Sequence, residues 1–321
     1  MRITFFDFSS AFNTIQPLLL GEKLRGMGVD DTVISWITDH LTGRPQFVRL
    51  GSGLSDVGVI DTGAPQGTVL SPLLFTLYTT DLKYNSESCH LQKFSDDSAV
   101  VRCIREGEEG EYRTLIDYFV EWSEQSHLRL NTNKTKEMVI DFRRKKTPSQ
   151  PLRIRGEVVE EVADYKYLGV VIDNGLDWKS NTEAVYKKGM SRLYFLRKLT
   201  SFNVCSKMLE IFYQSVVASA IFFAVVCWGG SIRASDTNRL EEIIEKAGSV
   251  LGLKLESFET VLERRTLNKL ISIMDNDQHP LHHTVDTQRS TFSHRLLQLR
   301  CPRDRYRKSI LPHAITLYNK S

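Results

Sequence analysis

Asp7, Asp96 and Asp97 are the residues of this chain best placed to do chemistry. Asp7 ends an apolar, aromatic run from Ile3 to Phe6 that suits a buried strand, where a carboxylate has no packing role. Asp96 and Asp97 interrupt a second apolar run, Leu91 to Ile104, in the manner of a hairpin with an acidic tip. Three carboxylates on neighbouring strand ends would make an oxygen-rich, negative pocket that a hard cation must neutralise. Magnesium suits it, with manganese as the alternative, because it takes one or two carboxylates and completes its octahedron with waters and substrate phosphates. Two such ions about 3.5–4 Å apart can activate a hydroxyl and steady a departing pyrophosphate in one in-line displacement, the chemistry of phosphoryl transfer. The competing reading of Asp96-Asp97 is a solvated turn, since turns favour Asp.

The elements that must hold these residues follow from punctuation. Gly63-Ala64-Pro65-Gln66-Gly67 leads through Ser71 and Pro72, a suitable first turn, into Leu73, Leu74, Phe75, Leu77, Tyr78 and Leu82 at helical spacing. A glycine-flanked Gln66 at a helix N-terminus can bring amides close to a nucleotide, although Gly and Pro clusters also mark plain turns. Pro17 to Arg25 reads as a helix closed by Gly26 and Gly28. Asp30 or Asp31 caps a second, with Val33, Ile34, Trp36, Ile37 and Leu41 on its apolar side, and Gly43 ends it. Gln46 to Leu50 and Val57 to Ile60 read as a short hairpin, Glu108 to His127 as an amphipathic helix, Lys136 to Phe142 as a strand, and Arg153 to Ile172 as further strands. Helical patterns take over from Asp177. Helices crossing one face of a mostly antiparallel sheet give an α+β fold.

A chain of 321 residues with 41% hydrophobic residues can bury a sizeable interior and more than one domain. Its net charge of +3 is too small to announce a nucleic-acid partner, but between Arg143 and Thr200 thirteen Lys or Arg stand against seven Asp or Glu. The clusters are Arg143-Arg144-Lys145-Lys146, Lys187-Lys188 and Arg197-Lys198, each of which could equally be a solvated face. Arg289, Arg295, Arg300, Arg303, Arg305, Arg307 and Lys308 make the end basic, with Phe292 and Tyr306 between them, a composition that suits either phosphate and base contacts or a disordered terminus. Ser215 to Trp228 is the most apolar run, short of the roughly 20 residues a span needs, and reads as a core helix. The five cysteines show no Cys-x-x-Cys pair, and His279, His282, His283, His294 and Cys301 match no zinc spacing.

The order and content of these segments resemble the reverse transcriptases of non-LTR (LINE-type) retrotransposons. That family has an Asp-x-x-x-Ala-Phe segment, a Gly-x-Pro-Gln-Gly segment and an aromatic-x-Asp-Asp segment in its palm. Leu130-Asn131-Thr132-Asn133-Lys134-Thr135-Lys136 resembles its Asn-x-x-Lys-Thr element, and Tyr167-Leu168-Gly169 its primer-grip turn. The resemblance runs from about residue 1 to about residue 200. It implies an RNA-directed DNA polymerase with an RNA template, a DNA primer and deoxynucleotides as partners, and no membrane. It also implies metal binding by Asp7, Asp96, Asp97 and the Phe8 carbonyl, with Lys134 serving the departing pyrophosphate. Phe12 would be an aromatic gate against the ribose 2′-hydroxyl, and Gln66 and Gly67 would meet the incoming nucleotide. The basic residues Arg143, Arg144, Lys145, Lys146, Lys187 and Lys188 would follow the primer-template duplex. Ser95 departs from the small alanine usual before the paired aspartates. The implied division is a palm over 1–142 with a fingers remnant near 43–64, a β connection over 143–178, a helical thumb over 179–275 and a basic tail over 276–321. Asp7 lies six residues after Met1, so the family's fingers and any endonuclease would be encoded upstream. The sequence thus reads as an internal piece of a longer polyprotein, working inside the cell in nucleus or cytoplasm, inactive or weakly active alone, with a non-catalytic nucleic-acid-binding remnant of the same fold as the alternative.

Overall fold

A five-stranded sheet organises the first part of the chain. The computed structural model describes residues 1–84, 86, 88–104, 108–144, 150–293 and 295–320. They form two compact units, Met1–Leu168 and Gly169–Ser321. In the first, strands β1 (Arg2–Phe6), β2 (Cys89–Phe94), β3 (Asp97–Arg102), β4 (Lys136–Val139) and β5 (Glu160–Glu161) lie in the order β5-β4-β1-β3-β2. All neighbours are antiparallel except β5 and β4. With helices packed on this sheet, the α+β class read from the sequence is the class observed.

β1 is central because its residues serve both faces. Thr4 and Phe6 point toward the helix Gly110–Gln125, with Phe6 stacked on Phe119 at 4.0 Å and the Thr4 hydroxyl 2.5 Å from that of Tyr112. Phe5 points the other way, as strand alternation requires, and is stacked on Tyr165 at 4.2 Å. Arg2, only 2% exposed, forms a two-pronged ion pair with buried Glu137 of β4 at 2.8 and 2.6 Å, and the Tyr112 hydroxyl donates to the same carboxylate. Burial opposes the Arg2 charge, yet Glu137 outweighs it and holds the guanidinium more firmly protonated than in water.

Two helices depart from the apolar faces expected. On Asp31–Leu41, capped by the Asp30 side chain, only Ile34, Ile37 and Leu41 are buried, while Val33 and Trp36 stay exposed on the flank, Trp36 stacked on His40. On Leu70–Tyr78 the inward residues are Leu74, Phe75 and Tyr78, and Leu73 is exposed. In both cases the apolar stripe is narrower than the run of apolar residues, because one helix face can meet only one neighbouring surface.

The second unit is helical, built on Lys179–Ser201, Ala234–Leu251 and Phe258–Met274. The helical run Ser206–Ser231 is long and apolar enough to cross a membrane by length and composition. It is also interrupted, with a π-helical stretch at Tyr213–Ala218 and Ala224 at φ 48, and its Val217, Ile221, Val225 and Trp228 lie in the core of the unit. Much of the segment read as a basic tail is folded as well. Ala314 and Ile315 of the helix Ile310–Tyr318, which follows the basic residues, pack with Leu270 and Ile273, and Arg305 and Arg307 lie on the short helix Asp304–Arg307.

Breaking the buried pair with Glu137→Leu should destabilise the chain by about 3–5 kcal/mol, since the buried Arg2 loses both prongs to Glu137 and keeps only Glu109, at 2.6 Å, as a counter-charge. Arg2→Met combined with Glu137→Leu should recover most of that loss, as read from urea unfolding midpoints.

Candidate active site

β2 and β3 pair from Cys89↔Arg102 to Phe94↔Asp97, leaving only Ser95 and Asp96 to turn the chain. Ser95 takes φ 56, the left-handed value that a two-residue hairpin turn asks of one or both central residues. Asp96 therefore stands at the tip and Asp97 opens β3. Asp97 shares a sheet face with Ala99, the residue opposite Phe5 in β1, and Asp7 follows Phe5 by two. One face thus carries Phe5, Asp7 and Asp97.

The three carboxylates feel one another. Burial, then Asp96, then Asp7 push the Asp97 carboxyl above its usual range. Among the described residues no three acidic, His or Cys side chains are drawn close enough to grip an ion as they stand. The donor set nonetheless suits a hard divalent ion: Asp7 Oδ2 is buried without a hydrogen bond. Among the described residues the Phe8 carbonyl accepts no hydrogen bond. In its bridge to Leu130 the bonds run from Ser9 N–H to Arg129 O and from Asn131 N–H to Asp7 O, on either side of Phe8.

The Asn131–Thr135 loop is tied to Asp7 by that same Asn131 bond, with the Asp7 N–H 3.5 Å from Thr135 Oγ1. This places Lys134 Nζ 3.8 Å from Asp7 Oδ2, while most of the lysine side chain remains exposed. A second set of ties joins Phe12 to Gln66. Gly63 N–H donates to Ile15 O at 2.7 Å and Ala64 N–H to Phe12 O at 2.8 Å. A Cβ on Gly63, whose φ is 72, would stand 2.7 Å from Asn13 Cα, so only glycine permits this approach. Gln66 Nε2 donates to Asn13 Oδ1 at 3.2 Å, and the Phe12 ring leans on Phe75 at 5.0 Å. Gly67 follows at φ 81, ahead of the helix Leu70–Tyr78.

Comparison with known proteins bears on what this arrangement is. The family model for reverse transcriptase (RNA-dependent DNA polymerase) matches residues 2–172, more than half of the chain. The chain belongs to the reverse transcriptase family. It is 25% identical over 313 residues to the probable RNA-directed DNA polymerase from transposon X-element of Drosophila melanogaster, covering 93% of this chain and 34% of that protein. It is 24% identical over 243 residues to the RNA-directed DNA polymerase from mobile element jockey of Drosophila funebris, covering 71% and 26%. These relatives put it on the non-LTR, LINE-type branch, and the chain spans about a third or less of their length. The telomerase of Candida tropicalis, solved with a fragment of telomeric RNA, is similar over 88% of this chain and 48% of that one at 15% identity, with a TM-score of 0.41 too low to carry an argument. A short match over residues 178–219 to the N-terminal part of alkylated DNA repair protein alkB homolog 8 carries none either.

The other expected site residues of this reverse transcriptase chain fall in both units. Tyr167 and Leu168 end the first unit and Gly169 opens the second, with Leu168 at φ 47 and Gly169 at φ 86. Lys187 and Lys188 are exposed on Lys179–Ser201. Arg143 is held by Asp141 through bonds of 2.8–3.1 Å, which reduces the charge it can offer a phosphate. Arg144 is exposed, and Lys145 and Lys146 lie outside the described residues.

Asn13 and Tyr165 joined the site without having been singled out. Burial, then Asp7 and Asp97, raise the Tyr165 phenol. Burial, then Asp97 and Tyr165, push Tyr167 up to about 12. Both tyrosines face the carboxylates, and their i, i+2 spacing was the available signal.

A carboxyl raised in the folded state binds protons more readily than in the unfolded chain, so Asp97 lowers stability above its folded pKa and ceases to do so as pH falls through it. Asp97→Asn should therefore raise the melting temperature at neutral pH, with the gain shrinking on acidification. Millimolar magnesium should raise the wild-type melting temperature more than that of the variant, as differential scanning fluorimetry would show.

Proposed function

We propose that the chain carries the catalytic core of an RNA-directed DNA polymerase, joining deoxynucleotides to a primer 3′-hydroxyl on an RNA template. The observation that carries this reading is the common face of Asp7 and Asp97 beside Asp96, with an Asp7 oxygen that accepts no hydrogen bond and, among the described residues, a Phe8 carbonyl that accepts none. Asp7, Asp96, Asp97 and the Phe8 carbonyl would hold two magnesium or manganese ions. Bound there, the ions would supply Lewis acidity for the attacking hydroxyl and the leaving pyrophosphate.

The protein's own groups would do the positioning. Lys134, 69% exposed yet held 3.8 Å from Asp7, would neutralise or protonate the departing pyrophosphate. The Asn13 carbonyl oxygen would hold the Gln66 amide toward the incoming nucleotide, and the Gly63 ties keep the Gln66 loop against the Phe12 segment. Phe12, braced on Phe75, would present a hydrocarbon ring where a 2′-hydroxyl would need room and a hydrogen bond. The first unit would be the palm of such an enzyme, and the helical unit its thumb.

Incorporation of deoxynucleotides on an RNA template by the purified chain in magnesium, set against Asp96→Ala, tests the proposal. Extension that depends on the aspartate is expected; extension unchanged in the variant would refute the site assignment. Phe12→Val should admit ribonucleotides on the order of tenfold more readily while leaving magnesium affinity alone, since a gate lost without its hydrogen bonds costs roughly 1–3 kcal/mol of discrimination. Competition between labelled deoxy- and ribonucleotides measures it.

A further inference from the structure

Tyr194 and Phe195 are neighbours on the helix Lys179–Ser201, yet 60% and 54% exposed, their rings edge to face at 5.6 Å. Two adjacent aromatic rings left in water on an ordered helix are not explained by the fold, since the opposite face already supplies the packing. Val185, Leu193 and Leu196 are buried there. Gly189 allows the helix to approach Ala234–Leu251 so closely that a Cβ would lie 3.0 Å from Ile243. That approach fixes which face looks outward.

The outward arc is basic as well as aromatic. At 3.6 residues per turn, Lys187, Lys188, Tyr194, Phe195 and Lys198 fall within about a third of the helix circumference, spread along about 16 Å of its axis. Among the described residues, Lys188, Arg197 and Lys198 have no carboxylate partner, and Lys187 has only Glu183 at 3.5 Å. An apolar surface made to dock another protein would gain nothing from this unpaired positive charge. A ligand with regularly spaced anions and flat π faces would use both. Single-stranded nucleic acid has that chemistry, whereas a duplex keeps its base faces stacked inside and offers the rings nothing.

We infer that this helix carries a platform on which Tyr194 and Phe195 stack unpaired bases while Lys187, Lys188 and Lys198 meet the flanking phosphates. The inference deepens the nucleic-acid role proposed above and rests on it, but requires nothing of the metal site. Fluorescence anisotropy with the full chain, using labelled oligo-dT and oligo-rU and a duplex of equal length, tests it. The wild type should bind the single strands more tightly than the duplex. Tyr194→Leu with Phe195→Leu keeps apolar area and helix propensity but removes the π faces. That variant should melt as the wild type does, yet bind single strands about tenfold or more weakly with an unchanged salt slope. Lys187→Gln with Lys188→Gln should instead flatten the slope of log K against log salt by about 0.7 for each phosphate no longer neutralised. Wild-type affinity in the leucine variant, or equal affinity of the wild type for duplex and single strand, would overturn the platform alone. Failure of the wild type to bind any of the three probes would overturn the nucleic-acid role with it.

Discussion

The buried pair of Arg2 and Glu137 is the constraint on which the first unit depends. Taking two charges out of water is costly, and the cost is offset only when both prongs of the guanidinium meet the carboxylate and the remaining lone pairs are satisfied, here by Tyr112. Such a pair tolerates one alignment of β1 against β4. A slip of one residue would leave both charges unpaired and would also turn Asp7 to the opposite face of the sheet. Alignment and chemistry are therefore settled together, at opposite ends of one five-residue strand.

The far end of that strand is built in the contrary sense, from groups left unsatisfied. Asp7 Oδ2 has no hydrogen-bond donor, burial and then its acidic neighbours disfavour the charged form of Asp97, and the Tyr167 hydroxyl is buried without a hydrogen bond. Folding alone would not favour such an arrangement. Main-chain ties run through the segments around it: Asn131 to Asp7, Ser9 to Arg129, and Gly63 to Ile15. Rigid main chain around unsettled side chains is what a site that must receive a charged ligand requires.

Much of this was legible in the residues. The apolar run ending at Asp7 and the acidic interruption before Asp97 became β1 and the β2–β3 hairpin, since burial on both sides of a turn leaves a strand few other choices. The cap at Asp30 was readable because its side chain acts locally. Harder to foresee were features made by distant residues meeting. The widths of the helix faces at Val33, Trp36 and Leu73 depended on which surface lay opposite. The role of Asn13 depended on a glycine fifty residues away that lets two loops close together. Arg143 read as free charge until Asp141, two residues earlier, proved to hold it. Local pattern reports which side chains are apolar or charged; it does not report which partner reaches them first.

The central claim is that Asp7, Asp96 and Asp97 converge on a divalent ion held by this sheet. Anomalous diffraction at the manganese edge from crystals of the chain grown with manganese is the most direct measurement. The account predicts a peak bounded by the carboxylates of Asp7 and Asp97 and the carbonyl of Phe8, absent from crystals of Asp97→Asn. A peak elsewhere on the chain, or one at that position that persists in the Asp97→Asn crystals, would contradict it.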